Sequence, residues 1–149
     1  MAKPRPQSIL PEEIPEIARE IVRKVKFPML ATIDQDQPRV RPVSPLLTRD
    51  FEVFIGNLRS YHKTQEIARN NQVELCYLDA DHNQVRITAI AEIVKDRELL
   101  EKIWSKNPLL KHYLGNIDNP ELIVYRCKPI RVKFMQEWAL EYHEVPISN

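Results

Sequence analysis

The sequence predicts a mainly β domain with flanking helices, arranged as a small antiparallel barrel. Six or seven short segments are apolar or alternate in the manner of strands, and a few helical segments interrupt them. A doubly wound parallel sheet requires strands and helices to alternate regularly, and this sequence shows no such alternation. At 149 residues the chain is long enough for one domain with its own core.

The N-terminal end divides into an arm and a helix. Residues 1–10 contain two prolines and no periodicity, which predicts a flexible arm. Residues 11–149 form the single predicted domain. It begins with an amphipathic helix over 11–25, because six apolar residues recur at helical spacing: Ile14, Ile17, Ala18, Ile21, Val22 and Val25.

Strands dominate the remainder. Pro42 and Pro45 interrupt the second strand and predict a sheet edge, since proline cannot donate to a ladder. The fifth has the clearest alternation, with Val85, Ile87, Ala89, Ala91 and Ile93 on one face. The predicted strands cover 29–33, 39–47, 51–55, 73–78, 84–94, 122–127 and 130–135. The predicted helices cover 60–70, 96–105 with Asp96 as its cap, and 108–114.

Composition excludes several classes of protein. A net charge of +1 argues against a nucleic-acid-coating protein. Neither a bilayer-spanning stretch nor a secretory signal is evident, so we expect a cytoplasmic protein with no membrane partner. Two glycines are too few for a glycine-rich phosphate loop. Cys76 and Cys127 lack zinc spacing and are expected to be reduced core residues, and no metal site is predicted.

The start of the second predicted helix is unusually basic. Arg59, His62 and Lys63 lie where the helix dipole is already positive, with Ser60 as the expected N-cap. Backbone N–H groups, the Ser60 hydroxyl and the Lys63 ammonium would suit a phosphate there. The alternative is a solvated loop in which Glu66 neutralises Lys63.

A second basic cluster lies on the preceding strand. Arg39, Arg41 and Val43 share one face, and a guanidinium binds phosphate in a bidentate manner. The alternative is an ordinary exposed strand face. The two clusters would meet if strands 39–47 and 51–56 formed a hairpin. No nucleophile elbow or other catalytic constellation is present, so catalytic residues stay unknown and a cofactor is expected to supply any chemistry.

These residues resemble a known family. The run from Leu30 to Val43, the segment Val53-Phe54-Ile55-Gly56-Asn57 and the later Gln84-Val85-Arg86-Ile87 are similar to FMN-binding split-barrel proteins related to pyridoxamine 5'-phosphate oxidase. The likeness is to their short, general-stress-protein-like branch and covers roughly residues 27–136. It implies a six-stranded antiparallel split barrel, a homodimer, and FMN at the interface between subunits.

The resemblance also implies roles for individual residues. Arg41, Ser60 and Lys63 would hold the FMN phosphate, with His62 sharing the role of Lys63 and Arg39 beside them. Other residues would lie along the isoalloxazine ring or the ribityl chain: Pro42, Val43, Ser44, Ile55, Gly56 and Asn57. Gln84 would reach the flavin from its strand, and Trp138 or Met135 would fill a late tryptophan position.

The expected function is that of an FMN-dependent oxidoreductase. Residues 139–149 have no counterpart of the oxidase segment that binds the substrate phosphate, so the expected substrate is an unknown small molecule. One alternative is a flavin- or phosphate-ligand-binding sensor or carrier without catalysis. Another is the same fold with deazaflavin or haem as its cofactor.

Overall fold

The structure is a computed structural model that describes Ala2 and residues 5–148. Within the predicted arm, Ala2 and residues 5–10 form neither helix nor strand, and Met1, Lys3 and Pro4 lie outside the described residues. A 3-10 turn, Pro11–Glu13, leads into helix α1, Ile14–Lys24. The apolar face of α1 is buried as predicted, through Ile14, Ala18, Ile21 and Val22.

The described residues contain eight strands in one antiparallel sheet. The strands are β1 Met29–Asp34, β2 Gln37–Pro42, β3 Pro45–Arg49, β4 Glu52–Leu58, β5 Gln72–Leu78, β6 Gln84–Ile93, β7 Leu122–Met135 and β8 His143–Val145. Their order in the sheet is β2-β1-β5-β6-β7-β4-β3, and β8 pairs with β7. The other helices are α2 His62–Arg69, α3 Arg97–Lys106 and α4 Pro108–Leu114. The predicted mainly antiparallel fold with flanking helices is confirmed.

The predicted number of strands was wrong. The segments 122–127 and 130–135 form one strand, β7, whose register against β6 shifts opposite Thr88 and Ala89. A shift of this kind absorbs an extra residue without ending the strand, so Pro129 is tolerated within it. The three-residue strand β8 was missed because it is too short to show a period.

The predicted strand 39–47 is two strands on opposite edges of the sheet. Pro42 ends β2 and Pro45 begins β3, so both prolines lie on edge strands, as predicted. Only Val43 and Ser44 connect them. A linker of this length spans roughly 10 Å, so the two edges must approach each other and the sheet must curl into a barrel. The backbone N–H of Val43 donates to Pro28 O at 2.9 Å.

Two apolar clusters fill the fold. The larger lies inside the barrel and includes Leu75, Ile87 and Phe134. The smaller lies beneath α3 and includes Phe54 and Ile103. The alternation of β6 is confirmed except at its last residue, Ile93, which is exposed.

Polar contacts hold the helical segment formed by α3 and α4. Asp96 caps α3 as predicted, accepting from Leu99 N at 3.3 Å. At the junction of α3 and α4, Asn107 Nδ2 donates to Leu46 O at 3.0 Å and to Ile103 O at 2.7 Å. These bonds fix both helices against β3.

Both cysteines are free, as predicted. Cys127 is buried, and burial raises the pKa of its thiol to about 12. Cys76 is half-buried rather than in the core, and burial raises its thiol pKa as well. Of the helices in the described part of the chain, none has the length and apolar character to cross a bilayer.

Candidate phosphate and cofactor site

An open cleft of about 550 Å³ brings the two predicted basic clusters together. It lies between β1, β2, β4 and the start of α2, and it is lined by Asp34, Arg39, Arg41, Asn57, Tyr61, His62, Lys63 and Glu66. The predicted reason for the proximity of the two clusters, a hairpin of strands 39–47 and 51–56, was wrong. A hairpin does join β3 to β4, but the arginines lie on β2, which pairs with β1. Helix α2 packs against β1 and thereby brings Lys63 to the arginines.

Arg41 is held in place by two side chains, Thr32 and Glu66. Its Nη1 donates to Thr32 Oγ1 at 2.6 Å, and its Nη2 donates to the two carboxylate oxygens of Glu66 at 3.0 and 3.2 Å. Glu66 is only 5% exposed. A buried carboxylate beside a guanidinium fixes the orientation of that fork strongly. Glu66 therefore pairs directly with Arg41 and not with Lys63, although its charge raises the pKa of Lys63 against the larger effects of burial and Arg41.

Lys63 differs from Arg41 in having no acidic partner. Among the described residues, no carboxylate lies within ion-pair distance of its amine. Burial, and then the charge of Arg41, lowers the pKa of Lys63. A partly desolvated cation beside another cation is unfavourable until an anion joins it. Lys63 is thus the side chain in this cleft best suited to receive an anionic ligand.

Ser60 is not the N-cap of α2, and that prediction was wrong. The cap position is Tyr61, and no side chain accepts a hydrogen bond there. The Ser60 hydroxyl donates to Glu121 Oε2 at 2.6 Å, and Arg59 Nε donates to Pro120 O at 2.8 Å. The carboxylate of Glu121 draws Ser60 toward the segment that precedes β7. A phosphate role for Ser60 remains a prediction and would require this bond to be shared.

At the outer rim of the cleft, two arginines lie near the carboxylate of one aspartate. Arg39 donates to Asp34 at 3.2 Å, and Arg69 lies 4.0 Å from the same carboxylate. All three side chains are partly or largely exposed, so these contacts are weak. Arg39 can therefore turn toward a ligand at little cost. No group of acids, histidines and cysteines suited to a metal ion occurs among the described residues.

The pKa of Lys63 gives the cleft a specific pH dependence. Its lowered value means that Lys63 loses its proton below the roughly 10.4 of a free lysine. We therefore expect phosphate affinity to fall with rising pH earlier than an ordinary lysine would allow. Without ligand the sign reverses: the unfolded chain binds more protons in this window, so stability rises with pH. Phosphate titrations across alkaline pH will measure this, and Lys63→Arg, which stays charged, is expected to flatten the profile.

A second cavity of about 600 Å³ adjoins the cleft and shares Asn57 and Tyr61 with it. Ser44 and Gly56 also line it. A side chain at Gly56 would not fit without adjustment, since its Cβ would lie 2.9 Å from Leu46 Cδ1.

The remaining predicted ring contacts line neither the cleft nor the second cavity. The side chains of Val43 and Ile55 are buried in the core, so at these positions only backbone atoms could face a ligand. Pro42 is exposed at the end of β2.

Gln84 and Trp138 lie away from the cleft. Gln84 is on β6, three strands from β2 in the sheet, and it accepts from Tyr142 Oη at 2.9 Å. Trp138 lines a different cavity of about 450 Å³, together with His82 and Asn83. One protomer alone does not bring these two residues to Arg41 and Lys63.

Sequence reasoning missed three residues of the cleft. Asp34 and Tyr61 line it, and Thr32 bonds Arg41 from its floor. Thr32 and Arg41 lie on the same face of the β1–β2 pair, because Thr32 pairs with Arg39 and Leu30 with Arg41. An assumed β1–β2 hairpin would have placed these side chains together. Glu66 pairs with Arg41 because of tertiary packing, and no local feature of the sequence indicates this pairing.

Comparisons with known proteins agree with this fold. A structure of General Stress Protein 26 from Bacillus anthracis str. Sterne has a TM-score of 0.73 at 20% identity, covering 89% of this chain and 99% of that one. A Clostridium acetobutylicum protein related to general stress protein 26, of the pyridoxinephosphate oxidase family, has a TM-score of 0.77 at 18% identity, covering 93% and 97%.

A heme binding protein from Mycobacterium smegmatis has a TM-score of 0.73 at 16% identity; it covers 97% of this chain, which spans 59% of that protein. A search of curated proteins found no significant match. The family model for pyridoxamine 5'-phosphate oxidase matches residues 14–136, most of the chain. The protein therefore belongs to the pyridoxamine 5'-phosphate oxidase family and has its split-barrel fold.

Proposed function

We propose that the protein binds FMN, with the phosphate in the basic cleft, and acts as an FMN-dependent oxidoreductase on a small substrate in the cytoplasm. One observation carries the proposal most directly: Lys63 is partly desolvated, lies beside Arg41, and has no acidic partner among the described residues. Membership of the pyridoxamine 5'-phosphate oxidase family supports a flavin-type ligand. FMN would supply two-electron transfer, for which the protein needs no nucleophile of its own.

The residues of the cleft fit a phosphate group. Lys63 offers an ammonium, and Arg41, whose Nη atoms donate to Thr32 and Glu66, adds a second positive charge at a fixed position. Arg39 and His62 lie at the rim and can add donors. In this proposal Ser60 contributes its hydroxyl once the bond to Glu121 is shared.

The ring and ribityl chain would contact a different set of residues. In one protomer these are Pro42, Val43, Ser44, Ile55, Gly56 and Asn57, with Val43 and Ile55 acting through their backbone. Gln84 and Trp138 would come from the second subunit of a homodimer, because they lie far from the cleft of their own chain.

An absorbance titration tests the proposal. Purified protein is mixed with FMN, free ligand is removed, and the spectrum of the retained flavin gives the stoichiometry. We expect one FMN per chain and much weaker retention of riboflavin, which has no phosphate. Oxidation of NADH or NADPH with repeated turnover would separate an enzyme from a carrier. Equal retention of FMN and riboflavin, or of neither, would contradict the phosphate assignment.

Haem is the second candidate ligand, because one similar structure is described as a heme binding protein. His62 is exposed and lines the cleft, so a nitrogen ligand for iron is available there. The same titration distinguishes the two cofactors, since haem gives an intense Soret band and flavin does not. A deazaflavin would lack that band and would absorb at shorter wavelength than FMN.

The proposed dimer leads to a separate prediction. Val40, Met29 and Leu78 lie on one outer face of β2, β1 and β5, and they are 69%, 45% and 54% exposed. Such a row of apolar side chains is typical of an interface. We expect a dimer by light scattering, and we expect Val40→Glu with Met29→Glu to give monomers with weakened FMN binding. Leu109→Glu, at an exposed site on α4, is the matched control. A wild-type monomer that retains FMN would contradict the prediction.

A further inference from the structure

A crevice of about 550 Å³ lies between helix α2 and the paired strands β6 and β7, on the other side of α2 from the basic cleft. The residues of α2 divide between the two sites: His62, Lys63 and Glu66 line the cleft, and Thr64, Ile67 and Ala68 line the crevice. At 3.6 residues per turn these two sets lie on opposite faces of the helix. Among the described residues that line the crevice, none is given to FMN or to the dimer interface by the proposed function.

Aliphatic side chains form much of the surface of the crevice. Ile67, Ala91 and Ile123 are buried beneath it, and Ala68 and Ile93 are exposed at its edge. Ile93 is the one residue at which the alternation of β6 fails, because it is 47% exposed where the pattern requires burial. The crevice explains this exception, since it leaves an inward-facing isoleucine open to solvent. A concave aliphatic surface of this volume is typical of a small-molecule site.

The charged residues of the crevice all have the same sign. Among the described residues that line it, two are arginines and none is acidic. The backbone N–H of Arg59 donates to Glu121 O and its Nε donates to Pro120 O, both at 2.8 Å, yet no described carboxylate lies within ion-pair distance of this guanidinium. Arg69 is 61% exposed and lies 4.0 Å from Asp34, a contact that stabilises little. Both arginines are therefore available to an anion.

Tyr125 connects the charged edge of the crevice with its apolar surface. The residue is 2% exposed and belongs to the larger apolar cluster. Burial raises the pKa of the Tyr125 hydroxyl, whereas the Thr64 hydroxyl and the charge of Arg59 act to lower it. The charge of Arg59 therefore acts at an O–H group on the wall of the same crevice. Such a hydroxyl can donate to a ligand oxygen that the guanidinium holds.

We propose that the crevice binds an amphipathic anion, an aliphatic carboxylate of the fatty-acid type, whose head group pairs with Arg59 and Arg69 and whose tail covers the isoleucines. A guanidinium binds a carboxylate through two parallel N–H bonds. Each methylene group that the tail removes from water adds to the affinity. A carboxylate without a tail would make only exposed ion pairs, which contribute little. The inference goes beyond the proposed function and does not require FMN to bind.

Calorimetry of the full chain with octanoate, 1-octanol and acetate tests the ligand class. Octanol has the tail without the charge, and acetate has the charge without the tail. We expect octanoate to bind at least about tenfold more tightly than either. Arg59→Gln combined with Arg69→Gln is expected to reduce the affinity for octanoate to that for octanol. Arg97→Gln combined with Arg131→Gln removes two exposed arginines outside the crevice and is expected to retain the preference.

Ile93→Glu provides a second variant that does not depend on the arginines. It places a negative charge at the edge of the crevice, so we expect octanoate binding to be lost. The fold is expected to survive, because Ile93 is largely exposed. Ile130→Glu is the matched control, since Ile130 lies on β7 outside the crevice and is 57% exposed. We expect this control to bind octanoate as wild type does.

Four outcomes decide the inference. Equal affinity for octanoate and octanol, or equal affinity for octanoate in the arginine variant and its control, would overturn it. Loss of octanoate binding in Lys63→Glu would place octanoate in the basic cleft and would also overturn it. Octanoate affinity that Lys63→Glu leaves unchanged supports it. If FMN fails to bind while the preference for octanoate and the Ile93→Glu effect remain, the proposed function falls and the crevice assignment stands.

Discussion

Lys63→Glu is expected to abolish FMN binding. The change places a carboxylate where the cleft has a partly buried ammonium without an acidic partner among the described residues. It adds a repulsion toward phosphate to the loss of an attraction. We expect affinity to fall by about 100-fold or more, which corresponds to about 3 kcal/mol. Fluorescence quenching of FMN during titration with the variant measures the loss.

The fold is expected to survive this change. The new carboxylate lies close to Arg41, which can pair with it, and no core residue is altered. Lys102→Glu makes the same charge change on an exposed position of α3 and is expected to leave FMN affinity unchanged. Stoichiometric FMN in well-folded Lys63→Glu protein would remove Lys63 from the site.

Glu66→Ala is expected to cause the largest loss of stability. The carboxylate of Glu66 is buried and bonds both Arg41 and Thr32. Its removal leaves the Arg41 guanidinium beside Lys63 with no negative charge to balance them. Breaking a buried pair in this way costs about 3–5 kcal/mol. Urea unfolding, without ligand, measures the decrease in the free energy of unfolding.

A phosphate ligand should restore part of that loss. Inorganic phosphate or FMN would bring a negative charge to Arg41 and Lys63, so the variant should gain more stability from the ligand than wild type does. Glu101→Ala is the matched control, because Glu101 pairs with Arg97 at 3.0 Å on an exposed helix face. We expect it to unfold at the wild-type urea midpoint. A Glu66→Ala variant as stable as wild type would show that Arg41 does not depend on this carboxylate.

Much of the fold could be predicted because periodicity is a local signal. Helix α1 and strand β6 bury the residues that their spacing selects, apart from Ile93. The strand 39–47 was predicted as one piece because nothing in its sequence shows that its halves pair with different partners. Pro42 and Pro45 indicated edges, but they could not indicate that the two edges are opposite ends of the sheet.

The candidate site could be predicted in part, because its basic residues occupy positions that are energetically unfavourable without an anion. Two arginines on one strand face, with His62 and Lys63 at a helix start, indicated an anion from the sequence alone, and the structure places all four in one cleft. The hydrogen-bond partners of the residues in and near the cleft were harder to predict. Ser60 was expected to cap α2, and Glu66 was considered only in the alternative, as a partner of Lys63. In the structure Glu121 binds Ser60, and Arg41 binds Glu66. Both outcomes depend on residues distant in sequence, which local rules do not reach.

The two-residue link between β2 and β3 has a mechanical consequence. Where those strands meet, the barrel wall is joined by covalent backbone at Val43 and Ser44, and its edges are not neighbours in the hydrogen-bonded order of strands. Arg41 lies on one side of this seam in the basic cleft, and Ser44 lies on the other in the second cavity. A ligand that occupies both would contact the two edges at once. Its binding would therefore stabilise the barrel against opening along the line where no strand pairing joins β2 to β3.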